Sequence, residues 1–186
     1  MCIFAIHRSP ENPSEVYFLS GREEKLDRPW LPPARHWPLQ KNVTAGLDLV
    51  GGGTWLSLGD QGLLACLLDQ PGTLGPQAGK RSRGHLPLIA QRYPDASSAA
   101  AAIASLDLNE YRPFHLVLAD HRTSLLLSWS PATGLCQQTL PPGTQLITAA
   151  GYDPNNLSPR QQLLTPIFAA TPPADWPTLV APDGVA

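Results

Sequence analysis

Short apolar runs, each closed within a few residues by proline, glycine or asparagine, recur along almost the whole chain. The punctuation is dense: 21 prolines and 15 glycines interrupt 186 residues, leaving little uninterrupted sequence for long helices. Runs of this kind joined by tight turns pair as antiparallel hairpins. Residues 3–8 and 15–20 read as the first two strands, with Ser9-Pro10-Glu11-Asn12-Pro13-Ser14 as the turn between them. Strands follow at 44–50, 54–59 and 63–69, separated by Gly51-Gly52-Gly53 and Asp60-Gln61-Gly62, and resume at 114–119, 124–129, 135–140 and 145–148. Helices are expected at 82–93 with Ser82 as N-cap, over the alanine-rich 96–106, and at 159–169 after Ser158. The proline-rich segment 24–42 and the proline-rich C-terminal tail 170–186 are expected to lack regular structure. The order predicts an α+β fold in one domain spanning 1–186. Helices in two separate places could cover the outer faces of two packed antiparallel sheets, a four-layer α/β/β/α sandwich.

Composition narrows the function classes. At 42% hydrophobic the chain can bury a sizeable core, while a net charge of −2 lacks the basic footprint of a nucleic-acid binder. No run approaches the ~18 apolar residues of a membrane span, and the apolar N-terminal run is too short for a signal peptide. A cytoplasmic location is therefore the expectation. Cys2, Cys66 and Cys136 are odd in number and far apart, which argues against a disulfide framework and against zinc. Cys66 lies in an apolar run and reads as a core thiol. His7, His36, His85, His115 and His121 have no metal-binding spacing, so no metal site is expected. No cofactor is expected either, although a single one of these histidines would suffice as a haem axial ligand.

Cysteine at position 2 carries the sharpest chemical implication. Removal of Met1 would leave Cys2 with a thiol and a free α-amine on one residue. An α-amine of pKa about 7.7–8.0 is partly unprotonated near neutrality and can act as base for its own side-chain nucleophile. Pairing of the first two strands would bring residues 20–22 beside it.

Several segments in order resemble the NRDE family, that of the transport and Golgi organisation 2 protein. They are Met1-Cys2, Gly21-Arg22-Glu23-Glu24 where the family has Asn-Arg-Asp-Glu, Arg28-Pro29, Gly52-Gly53-Thr54-Trp55-Leu56 and Ser82-Arg83-Gly84. The resemblance implies an N-terminal nucleophile hydrolase-like fold. It also implies a catalytic pair of Cys2 and Arg22, the guanidinium favouring thiolate over thiol. The chain departs from the pattern at Gly21 and Glu23. In its second half Ala150-Gly151-Tyr152-Asp153 and Leu157-Ser158-Pro159-Arg160 replace the family's usual segments, with no asparagine in the oxyanion role.

The residues expected around a ligand are Glu23, Glu24, Trp30, Gly52, Gly53, Thr54, Ser82 and Arg83. Backbone N–H groups near Gly51, Gly52 and Gly53 could stabilise an oxyanion, or the glycines could simply permit a hairpin turn. Ser82-Arg83-Gly84 could hold a phosphate or carboxylate, or simply cap a helix. Trp30 reads as the pocket tryptophan and Trp55 as packing. Two functions remain open. One is hydrolysis of a non-peptide C–N (amide) bond through Cys2. The other, suggested by what the resemblance implies, is a non-catalytic carrier holding haem, acyl-CoA or another lipid in the same pocket.

Overall fold

A computed structural model describes residues 2–180, so Met1 and the end of the predicted tail lie outside the described residues. The elements in order are β1 (Ile3–Arg8), β2 (Val16–Gly21), β3 (Trp30–Ala34), β4 (Val43–Asp48), β5 (Leu56–Gly59), β6 (Leu64–Asp69), α1 (His85–Ala90), α2 (Ala96–Ala104), β7 (Phe114–Ala119), β8 (Ser124–Ser130), β9 (Gly134–Thr139), β10 (Gly143–Thr148), α3 (Pro159–Ala170) and α4 (Trp176–Leu179). They form a mixed α+β structure with two antiparallel sheets. One sheet has the order β10-β1-β2; the other runs β3 to β9 in sequence order.

Side-chain alternation decides which faces meet. On β1, Phe4 and Ile6 point to one side and pack with Leu64, Cys66, Leu68, Val117 and Leu126 of the larger sheet. Ile3 and Ala5 point the other way, against Leu164 and Phe168 of α3 and Trp176 of α4. Burial on both faces explains why this strand reads as a continuous apolar run. The far face of the larger sheet, through Ala65, Leu116, Leu118 and Leu127, is covered by Leu86 of α1 and by Ala99 and Ile103 of α2. Each large apolar side chain so enclosed stabilises the fold by about 1.5–3 kcal/mol.

Three segments differ from expectation. The proline-rich stretch contains β3, in spite of Pro32 and Pro33. It is an edge strand, paired only with β4, and its register slips between Leu31 and Ala34. Prolines are tolerated at such an edge because no further strand needs their missing N–H. The helix expected at 82–93 is only His85–Ala90, and Gly84, not Ser82, occupies its N-cap position without a side-chain bond. The tail expected to be irregular has a 3-10 turn at Pro173–Asp175 followed by α4. Fully buried Trp176 ties it down, its indole N–H shared between the carbonyls of Phe168 and Thr171. By contrast α3 begins where expected, with Ser158 and Gln161 forming a reciprocal capping box.

Candidate active site

The site begins with a register. Ile3 pairs with Gly21 across β1 and β2, which sets Cys2 next to the residues leaving β2. The Cys2 thiol points to the Glu23 carbonyl at 3.8 Å. Arg22 lays its guanidinium over the Trp55 ring, 4.5 Å from the centroid, and reaches Glu24 at 3.6 Å. Trp55 can lie there because residue 46 is glycine: a Cβ at Gly46 would come within 2.4 Å of the indole. Trp30 meets Trp55 edge-on from behind, with ring centroids 5.8 Å apart.

A second layer of charge fixes the wall. Arg28 donates to Asp48 at 2.6 Å and lies 3.7 Å from Glu24. Asp48 also accepts the backbone N–H groups of Val50 and Gly51. Burial works against its charge, but these bonds hold its carboxyl below the usual range. The opposite wall is the loop between β6 and α1. It docks at Gly53, where a Cβ would come within 2.4 Å of the Gly84 carbonyl, and Thr54 N–H donates to that carbonyl at 2.9 Å. Arg83 is buried and bonds Asp69 at 2.8 Å, the Thr73 carbonyl at 2.8 Å and the Pro113 carbonyl at 2.7 Å.

Between these walls lies an open-mouthed cavity of about 310 Å³. Of the residues expected at a ligand, Cys2, Arg22, Glu23 and Glu24 line it on one side, and Thr54, Ser82 and Arg83 on the other. Trp30, Gly52 and Gly53 are not among its lining residues, whereas Trp55 and Gly51 are. Trp37 packs away from it, against Val43, Ala45 and Leu88. The Gly51 and Gly52 N–H groups are engaged with the side chain and the carbonyl of Asp48 respectively.

Electrostatics at the thiol differ from the simple expectation. Burial pushes the Cys2 pKa up, and Asp69 adds to the rise; the nearby Arg22 pulls down but does not prevail. Cys2 therefore holds its proton more tightly than an ordinary cysteine, and a nucleophilic role requires a base. Asp69 itself is pushed up, first by burial and then by Glu24, against the pull of Arg83. Cys66, fully buried beneath the site, is pushed up to about 12 by burial and is inert by comparison.

The sequence profile of Transport and Golgi organisation 2 matches residues 1–167. The chain belongs to that family. No curated protein matches the chain. The matched span contains every described residue that lines the cavity, so the Transport and Golgi organisation 2 homology extends through both walls.

Some members of the site carried little sequence signal. Asp69 is the last residue of β6, and only strand alternation followed to its end could have marked it as facing the same space as Cys2. Asp48 stands likewise at the end of β4, just before the glycines. Arg112 reaches the cavity from more than a hundred residues along the chain, beyond α2. Its placement follows from bonds to the Leu74 and Gly75 carbonyls that no local pattern announces.

Proposed function

We propose that this chain is an N-terminal nucleophile hydrolase-like member of its family, built as a four-layer α/β/β/α sandwich, that hydrolyses a non-peptide C–N bond through Cys2. The observation that carries the reading is Cys2 on the wall of a cavity it shares with a guanidinium lying over Trp55. With Met1 removed, the α-amine of Cys2 accepts the thiol proton as sulfur bonds to the amide carbon. The carbonyl electrons move to oxygen, and their return breaks the C–N bond. The amine leaves with that proton, and water then cleaves the thioester to release the acid and restore the thiol. The raised thiol pKa leaves little standing thiolate, so the scheme depends wholly on that amine taking the proton as sulfur attacks.

The test is an intact mass of the protein before and after brief exposure to a thiol-reactive probe near pH 8, where the α-amine of Cys2 is unprotonated enough to act as base. Loss of Met1 with a single fast adduct on Cys2 supports the hydrolase. Retained Met1, or amide hydrolysis unchanged in Cys2→Ala, overturns it.

One observation favours the second reading, a non-catalytic acyl-CoA or lipid carrier. The Gly51 and Gly52 N–H groups, natural oxyanion donors, already bond Asp48. Its haem form draws no support from the wall, which carries charged groups and, among its lining residues, no histidine.

A further inference from the structure

The cavity gathers charge out of proportion to the chain. Six of the thirteen lysines and arginines line it, against four of the fifteen carboxylates. The cations are not equally neutralised. Arg28 is matched by Asp48, Arg83 by Asp69, and Arg81 by Glu110 at 3.0 Å. Arg22 lies 3.6 Å from Glu24.

Lys80 and Arg112 differ from these. Their bonds run to neutral backbone carbonyls: Lys80 Nζ donates to Asn109 at 2.6 Å, and one Arg112 nitrogen donates to Leu74 at 3.0 Å and Gly75 at 2.8 Å. Among the described residues no carboxylate forms an ion pair with either. Carbonyl bonds fix where the cations sit without cancelling their charge. A low-dielectric, walled space then focuses the uncompensated positive field on whatever enters it. Arg112 is also felt at Asp69 and at Arg83, and Asp69 in turn is felt at Cys2. The excess charge thus belongs to the same space as the thiol.

Size limits the occupant. A cavity of about 310 Å³ is at the small end of ligand sites, which suits a compact molecule with one reacting carbonyl and one charged end. Resting on the reading of Cys2 as nucleophile, we propose that Lys80 and Arg112 form an anion subsite, and that the substrate is a small amide carrying a carboxylate or phosphate away from its scissile bond. Charge-assisted bonds of this kind confer discrimination as well as affinity, because a neutral analogue forgoes the charge-assisted part of both bonds.

The experiment separates this proposal from the hydrolase itself by measuring binding without turnover. Calorimetric titration of the Cys2→Ala protein with glutarate, with pyrophosphate and with neutral glutaramide is the direct probe. At least one anion is expected to bind about tenfold or more tightly than the diamide, the scale of one charge-assisted hydrogen bond. That preference is expected to weaken as salt rises. Glutarate alone binding assigns a carboxylate, and pyrophosphate alone a phosphate. In Lys80→Gln the anion affinity is expected to fall about tenfold with an unchanged melting temperature, since Lys80 makes a single exposed carbonyl contact. Arg112→Gln repeats the test where its loop still folds. Equal binding of the diamide, no anion binding at all, or full affinity in Lys80→Gln overturns the subsite. A thiol inert to the probe with anion binding intact would instead overturn the hydrolase alone.

Discussion

At the scale of single residues, the site is governed by which neighbour of Cys2 dominates its proton affinity. Arg22 is the cation that sequence resemblance singles out, yet burial and Asp69 outweigh it. Asp69→Asn removes one negative charge while keeping the side-chain shape. The inflection in the pH dependence of Cys2 alkylation is expected to move to lower pH in this variant, and an unmoved inflection would show that Asp69 does not act on the thiol. Arg22→Gln should move it the opposite way. Cys2, Arg22 and the acidic pair after them were legible because they sit in one short hairpin whose turn chemistry is local. Asp48, Asp69 and Arg112 were not, because their roles arise from strand ends and carbonyl contacts far apart in sequence. Trp55, read as packing, lines the cavity for the same reason: the room for its indole is made by Gly46 on β4.

Among the elements, strands bounded by strong turn signals were readable nearly to the residue. Phe114–Ala119 is the clearest case, closed by Pro113 and by the Asp120 turn whose carboxylate accepts the N–H groups of Arg122 and Thr123. The same holds for α3, where Ser158 caps as its sequence suggests. Tertiary contact overrides local preference elsewhere. An edge position makes room for prolines in β3, and docking on Gly53 shortens α1 by holding residues 82–84 in the cavity wall. Burial of Trp176 organises a tail that composition marks as irregular. Trp176→Ala is expected to cost about 3–5 kcal/mol of stability in denaturant unfolding, the range for deleting a large buried aromatic side chain. A loss below 1 kcal/mol would mean that α4 adds little to the fold. Gly53→Ala is expected to displace the loop between β6 and α1 and, by uncovering the thiol that burial suppresses, to speed probe labelling of Cys2; an unchanged rate would show that this wall does not shield it.

On the scale of the whole molecule, polar contacts as well as apolar ones join the two sheets: Arg8 of β1 donates to Ser124 of β8, and His115 of β7 reaches the Ala149 carbonyl just after β10. The Ala149 carbonyl can only accept, so Nε2 carries the proton at 3.2 Å, and Nδ1 accepts from the Ser128 hydroxyl at 2.7 Å. That neutral ring is enclosed, and burial lowers its pKa to about 4. The unfolded chain binds a proton near 6.5 while the folded chain resists until about 4. Stability is therefore full above about pH 6.5 and declines as pH falls toward 4, by roughly 3 kcal/mol in all. Melting temperature measured from pH 7 to pH 4.5 is expected to fall, and His115→Gln to flatten that fall; a parallel decline in both proteins would place its origin elsewhere. Among the described residues no helix is long and apolar enough to cross a membrane.

Topology also sets an order of events. β1 lies between β2 and β10, and His7 bonds Thr144 across 137 residues of sequence. On the ribosome, the hairpin that bears the thiol emerges early, yet its second neighbouring strand is made only after the whole larger sheet. The strand that follows Cys2 thus waits, half-paired and with the thiol uncovered, until β10 has been made. A nascent chain of this kind is most open to oxidation or capture before it is finished, and most protected once its final helices close over β1.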